Sequence, residues 1–354
     1  MKMTGSTMKE IVLVTGGTGF VGVHCIVQLL QKGYRVKTTL RSPSRKNEVW
    51  EMLKMAGIPS FDNLTFIEAD LTKDTNWNEA VKDCTYVLHV ASPIFLKVPK
   101  EENEMIIPAV EGTLRVLRAS RNAGVKRVVI TSSFGAVGYS HTDAGKLITE
   151  ADWTNPADKH LSPYLKSKTL AEKAAWDFIT KEGGTLELAV INPVGIFGPT
   201  PGTDLSGGAE IIKRLLDGSM KRIPKISFGI VDVRDVADLH IRAMLHPEAK
   251  GQRFLALAGE IVSLPGIALL LKDKMGDAAK NVSTKILPDW IVRIAALFSP
   301  VAKNIVPQLG RNKNASNLKA KTMLGWSPRS NEEAIIAMAE SLVQFGIIKN
   351  NAAR

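Results

Sequence analysis

The sequence predicts an α/β protein in which a doubly wound parallel sheet carries a smaller, discontinuous C-terminal substrate domain. Three observations lead there. Short apolar runs alternate with amphipathic stretches as far as Asn192, the first run ends in a glycine-rich turn, and beyond Asn192 the alternation breaks up. Strands that alternate with helices imply parallel pairing through right-handed crossovers. Near-continuous Val/Ile/Leu strands suit a sheet covered on both faces. The sheet portion is expected at about residues 9–192 with 229–248, and the substrate portion at 193–228 with 249–350.

The elements follow in order. Ile11–Thr15 is a β-rich run that ends in Thr-Gly-Gly. Val23, Ile26, Val27 and Leu30 then fall at i, i+3, i+4 and i+7, one face of a helix. The short apolar theme returns at Tyr34–Leu40, Leu64–Ala69, Tyr86–Val90, Arg127–Ser132 and Leu186–Ile191, with helical stretches that include Ile106–Arg121 and Ser167–Thr180. Gly198–Gly208, rich in Gly, Pro, Ser and Thr, reads as a loop. Ile226–Val233 reads as a strand, followed by a helix from Val236 to Leu245 that Asp235 would cap. From Ser263 the chain turns mainly helical, most clearly over Pro288–Leu309 and Asn331–Phe345.

Composition narrows the class. With 354 residues, 45% hydrophobic and 23% charged, the chain can bury a large core and exceeds one typical domain length. It has no apolar run of about 18 residues, so no membrane span is expected. Met1–Glu10 is short and polar, lacks the apolar core of a signal peptide, and reads as a flexible tail. The two cysteines, Cys25 and Cys84, sit in or beside apolar segments, as buried free thiols do in a reducing compartment; a cytoplasmic location is expected. The net charge of +11 comes from scattered Lys and Arg with no interleaved aromatics, so nucleic acid is not an expected partner. The six histidines have neither an i, i+4 pair nor a cysteine partner at ligand spacing, and no metal site is expected.

The turn after the first strand reads Thr15-Gly16-Gly17-Thr18-Gly19-Phe20-Val21-Gly22. Its early glycines let the backbone turn sharply and approach a pyrophosphate, and Gly22 lets helix and sheet pack closely. The helix start adds free N–H groups and the positive end of its dipole. A Rossmann-type dinucleotide site follows. Where NAD-binding folds place a carboxylate at the end of the second strand, this chain has Arg41, with Arg45 and Lys46 close behind. A guanidinium can pair with a 2′-phosphate that a carboxylate would repel, so NADPH/NADP+ is favoured over NADH.

Tyr164-Leu165-Lys166-Ser167-Lys168 sets a phenol and an ammonium one turn apart on one helix face. An ammonium beside a phenol lowers its pKa from about 10 and readies it for proton exchange. By itself the motif has a structural reading too, in which Lys168 pairs with Glu172. Val128–Ser133 is a buried strand ending in hydroxyls, at the sheet edge where doubly wound folds collect ligands. A serine there can hold an oxygen on which negative charge develops.

The G-x-x-G-x-x-G turn and the Ser-Tyr-Lys set resemble the short-chain dehydrogenase/reductase family, and Thr-Gly-Gly-Thr-Gly-Phe-Val-Gly resembles its extended, epimerase/dehydratase-like branch. The likeness runs on through Asp70-Leu71, His89–Pro93, Pro108–Thr113, Asn192-Pro193-Val194 and Val231–Ala237, to Leu324–Arg329. Within that branch it is nearest to dihydroflavonol reductases, cinnamoyl-CoA reductases and microbial aldehyde and methylglyoxal reductases. The resemblance implies NADPH-dependent reduction of an aldehyde or ketone, with Tyr164 as proton donor, Lys168 on the nicotinamide ribose and Ser133 as the catalytic serine. Thr131, Ser132, Asp70, Leu71, Val90, Ala91, Ser92, Pro193, Val194 and Ser206 would then join the glycine turn around the cofactor. Asp70 has a second reading as a helix cap, and both readings stay open. Ile94, Phe134 and Tyr139 are candidates for an apolar substrate pocket, and a homodimer is possible for this branch.

Phe134 and Gly135 stand where dehydratases of this superfamily place carboxylates, which disfavours dehydration. A nucleotide-sugar epimerase would share the Ser-Tyr-Lys set, but Arg41 and the few charges in Gly198–Gly208 speak against it. A non-catalytic NADPH sensor would typically have lost the Tyr–Lys pair. The apolar stripe of Trp290, Ile291, Ile294, Leu297 and Phe298 suits a lid helix better than a membrane surface. Asp232, Arg234 and His89 are read as structural.

Overall fold

The computed structural model describes residues 10–93, 101–141, 143, 145–159, 161–203, 205–299, 306, 309 and 314–348. Strand β1 (Ile11–Val14) leads through the glycine turn into α1 (Phe20–Gln31). Then come β2 (Arg35–Leu40), α2 (Lys46–Met55), β3 (Leu64–Glu68), α3 (Trp77–Val81), β4 (Tyr86–His89), α4 (Asn103–Asn122), β5 (Arg127–Thr131), α5 (Pro163–Glu182) and β6 (Glu187–Pro193). The rest is made of β7 (Gly195–Phe197), α6 (Gly207–Leu216), β8 (Ile223–Pro224), β9 (Ser227–Phe228), β10 (Ile230–Asp232) and α7 (Val233–Leu245). After these follow β11 (Gln252–Ala256), β12 (Val262–Ser263), α8 (Leu264–Lys274), β13 (Ile286–Leu287), α9 (Asp289–Ala295) and the helices Leu318–Leu324 and Asn331–Gln344.

Seven strands form one parallel sheet in the order β11-β6-β5-β4-β1-β2-β3. Successive strand residues point to opposite faces, and both faces here are covered. Val12 and Val14, Leu88, Val129 and Ile191 therefore pack with α1, α2 and α7 on one side. Leu13, Val87, Val128, Ile130 and Val190 pack with α3, α4 and α5 on the other. A third core joins Phe197, α6, α8 and Asn331–Gln344. Three two-stranded pairs, β10-β7, β12-β9 and β13-β8, belong to this smaller part.

Several sequence expectations change. Gln252–Ala256, assigned to the substrate portion, is the edge strand of the large sheet, in register with Ala189–Pro193. Phe254 and Ala256 are buried in the first core, whereas Gln252 and Arg253 hide the strand signal in the sequence. The strand expected over Ile226–Val233 is split at Gly229, whose carbonyl accepts from Gly195 N–H at 3.0 Å. Helix α7 starts earlier than expected because Asp232, not Asp235, caps it, accepting from Arg234 N–H at 2.8 Å. The helix expected over Pro288–Leu309 is helical over Asp289–Ala295; residues 300–305, 307 and 308 lie outside the described residues.

Asp235 instead ties the C-terminal segment to α7. It accepts from Arg329 N–H at 2.7 Å and from the Arg329 guanidinium. The buried Trp326 donates its indole N–H to the Asp235 carbonyl at 3.0 Å. Trp326→Phe keeps most of the apolar volume but removes that donor from a buried carbonyl, so we expect a loss of about 1–3 kcal/mol in urea unfolding.

Candidate active site

The carboxyl ends of the parallel strands lie along one edge of the sheet, and the residues singled out in the sequence gather there. At the end of β1, Gly16 has φ +74°, in the left-handed region that glycine tolerates. Gly22 sits in the first turn of α1, where an added Cβ would come within 2.3 Å of the Gly16 carbonyl oxygen. The start of α1 has no side-chain cap, so the N–H groups of Phe20, Val21 and Gly22 have no partner from the helix itself. Thr18 lies in the same turn and accepts a hydrogen bond from Arg45 Nη1 at 3.2 Å. This cradle, with its donors and its cation, fits the pyrophosphate and phosphates of a dinucleotide.

Around the turn, Arg41 follows β2, and Arg45 and Lys46 lead into α2, with the Lys46 ammonium 5.8 Å from the Phe66 ring. Asp70 caps no helix, since α3 begins at Trp77. Its carboxylate accepts from Thr72 N–H and Oγ1–H, both at 2.9 Å. The Thr72 N–H holds this carboxyl below its ordinary value, burial opposes that, and the Thr72 hydroxyl, Lys73 and Arg41 add to it. Leu71 is buried beside Gly112 of α4. At the end of β4 the Ala91 N–H donates to Thr15 Oγ1 at 2.9 Å, which brings the Val90–Ser92 segment against the glycine turn.

The hydroxyls after β5 take separate partners. Thr131 Oγ1 meets His240 Nε2 of α7 at 2.6 Å, and His240 Nδ1 lies 2.7 Å from the Val236 carbonyl. Ser132 Oγ donates to Glu172 Oε2 at 2.5 Å. Ser133 Oγ accepts from Gly135 N–H at 3.0 Å, and its hydroxyl lies near enough to the Tyr164 phenol to lower its pKa. Ser132 thus turns toward the protein interior and Ser133 toward Tyr164.

Ser162 caps α5 and Pro163 opens it, an entry that sets Tyr164 in the first turn and Lys168 one turn later. Tyr164 is 47% exposed and Lys168 only 9%. The protein packed around the phenol still pushes its pKa up, with the Ser133 hydroxyl pulling the other way. Burial lowers Lys168 to about 8, opposed by the Glu172 carboxylate. The expected lowering of Tyr164 by Lys168 is therefore corrected. Lys168 and Glu172 line one narrow cleft with His89, Ala91, Ser92 and Ser132, the carboxylate acts on the ammonium through space, and the phenol answers to desolvation.

His89 is buried, its pKa lowered to about 3 first by burial and then by Lys168, and its Nδ1 meets Thr15 Oγ1 at 3.0 Å. It is a neutral structural residue. Pro193 ends β6 two residues beyond Ile191, the register partner of Thr131, and the Val194 N–H donates to the Ala256 carbonyl of β11 at 3.1 Å. Tyr139 lies near Tyr164, and its phenol is raised by burial and then by that neighbour. Phe134, expected in the substrate pocket, is 6% exposed and packs with Val137, Ile148, Leu255 and Leu257, behind Tyr139 and Val194. Ser206 caps α6 by accepting from Ala209 N–H at 3.2 Å and makes no hydrogen bond to the glycine turn or to Tyr164 and Lys168. Ile94 lies outside the described residues.

The sequence reading missed the depth of one cluster. Glu172, Asn192 and Arg253 meet in the interior directly behind Ser132 and Lys168. Glu172 lies one turn beyond Lys168, on the sheet side of α5, and this spacing was the one signal that could have exposed it. Among the described residues no group of three His, Cys, Asp or Glu could hold a metal ion, and no helix is long and apolar enough to cross a membrane.

A family model described as the NAD dependent epimerase/dehydratase family matches residues 12–257. A cinnamoyl-CoA reductase of Medicago truncatula is 34% identical over 258 residues, covering 72% of this chain and 78% of the relative. An anthocyanidin reductase of Vitis vinifera is 33% identical over 281 residues, 75% of this chain and 81% of the relative. Among solved structures, yeast methylglyoxal/isovaleraldehyde reductase complexed with NADPH superposes with a TM-score of 0.80 at 26% identity, covering 95% of this chain and 99% of that one. With the glycine turn, the parallel sheet and these matches in agreement, the chain belongs to the NAD dependent epimerase/dehydratase family, the extended short-chain dehydrogenases/reductases.

Proposed function

We propose that this protein reduces an aldehyde or ketone to the alcohol with NADPH, and that Tyr164 donates the proton. The observation that carries the reading is the meeting of Ser133, Tyr164 and Lys168 at the same sheet edge as the glycine turn and the Arg41–Arg45–Lys46 cations. The activities and the cofactor in the names of the similar reductases support it.

When bound, NADPH supplies the hydride. The Phe20–Gly22 N–H groups and Arg45 would hold its phosphates, with Arg41 and Lys46 toward the 2′-phosphate. Pro193 and Val194 would border the nicotinamide. A phenol held above its ordinary value is protonated at neutral pH, the starting state a proton donor needs. The Ser133 hydroxyl would steady the carbonyl oxygen as negative charge grows, and Tyr164 would hand it a proton. Lys168, charged below about pH 8, would hold the nicotinamide ribose and offset the phenolate left behind. Tyr139 gives the pocket an aromatic wall, which suits apolar or aromatic carbonyl compounds.

NADPH consumption with a panel of aldehydes and ketones tests the reading directly; turnover of none of them by folded, NADPH-binding protein overturns it. Tyr164→Phe should lower kcat by roughly 100-fold or more while NADPH still binds, as measured by fluorescence titration. Burial lowers the Lys168 pKa, so its ammonium is lost as pH rises through about 8. The kcat/KM of reduction should fall over that interval, whereas a level profile would remove the ammonium from the reaction. Arg41→Ala should cut the preference for NADPH over NADH by roughly tenfold, the worth of one charge-assisted hydrogen bond of about 1.5 kcal/mol.

A further inference from the structure

Glu172 is 1% exposed, and its carboxylate has four donors from four parts of the fold. Oε2 accepts from Ser132 Oγ at 2.5 Å and from Asn192 Nδ2 at 2.7 Å. Oε1 accepts from Arg253 Nε at 2.6 Å and from Trp176 Nε1 at 3.4 Å. Arg253 is itself buried: its guanidinium carbon lies 3.7 Å from the Trp153 ring centroid, and Nη1 donates to the carbonyls of Glu150 and Asp152, both at 2.8 Å. Asn192 Nδ2 also reaches the Ser133 carbonyl at 3.2 Å. One carboxylate thus joins the helix of Tyr164 and Lys168 to the ends of β5 and β6 and to the start of β11.

A buried ion pair is expensive to form and adds little net stability over an apolar replacement. Helix α5 and the sheet already pack through Ala175 and Phe178 without it. The cluster needs another reason, and its location supplies one.

We infer that Glu172, neutralised by Arg253, is a positioning residue: it fixes Ser132 and Asn192, and through them the Ser133 backbone, against Tyr164, and it gives the Lys168 ammonium its countercharge. The inference rests on the reductase reading and deepens it. Among the described residues that line the cleft around Lys168, the other elements offer no competing anion. Strand β4 presents the neutral His89, β5 presents Thr131 and Ser132, and α4 presents Ala109 and Thr113. The Tyr164 phenol is protonated, and the Arg253 cation stands behind the carboxylate. Glu172 is therefore the charge that favours the protonated amine.

The test compares the full-length wild type with Glu172→Gln and with the double variant Glu172→Gln/Arg253→Gln, which removes both members of the buried Glu172–Arg253 ion pair. Four properties are measured: thermal midpoint, NADPH affinity, kcat against pH, and the pH dependence of Lys168 acetylation read by peptide mass spectrometry. We expect kcat to fall by roughly 10- to 100-fold in both variants, the scale of a small misplacement of reacting groups, with NADPH still bound. Lys168 should become reactive at lower pH in both. Full recovery of kcat in the double variant would reduce Glu172 to a partner for Arg253 and overturn the inference, as would an unmoved Lys168 titration in either variant. The acetylation measurement needs no turnover, so an inactive wild type would count against the reductase reading alone.

Discussion

A parallel strand cannot be joined to its neighbour by a tight turn; the chain must cross over, here through a helix or a longer segment, and start again from the same side. Seven strands obeying that rule bring all their carboxyl ends to one edge and all their amino ends to the other. The glycine turn, the Asp70 turn, the Val90–Ser92 segment, the β5 hydroxyls and Pro193 meet for this reason and no other. The order of the sheet then opens a crevice between β1 and β4, where the crossovers change face. Gly16 and Gly22 are where the backbone itself must come close, and their missing side chains make the approach possible.

Behind that edge the interior is more polar than its surroundings suggest. His89, His240, Lys168, Glu172 and Arg253 are all buried, and they meet three different fates. The two histidines become neutral hydrogen-bonding groups tied to Thr15 and Thr131. Glu172 and Arg253 meet as an ion pair at 2.6 Å. Lys168 is left between, with burial pulling its proton away and the carboxylate holding it. The result is an amine that titrates within reach of neutral pH on a helix whose phenol does not.

Local pattern revealed some of this and concealed the rest for physical reasons. The glycine spacing after an apolar run, and a Tyr and a Lys four apart, carry their geometry in the sequence because the turn and the helix are local objects. Asp232 and Asp235 are both good caps three residues apart; Val233, β-branched, tipped the reading toward strand and moved the helix start too late. Arg253 made β11 look like surface because its burial depends on Glu172, far away along the chain. Phe134 seemed free to meet substrate until Gly138, which leaves room for its ring, turned it inward. The wrong sign at Tyr164 has the same origin: spacing places an ammonium one turn away but does not say which anion it faces.

The position of β11 bears on how the chain comes to be folded. This edge strand is made after α7, well after its neighbour β6, whose residues are buried along most of their length. On the ribosome, β6 must therefore wait as an open, sticky border until the residues beyond Ala256 emerge. Over that interval the guanidinium that will meet Glu172 is still missing, and a solitary acid would be shut inside a nascent core. Newly made chains should be most in need of chaperone shelter in that window.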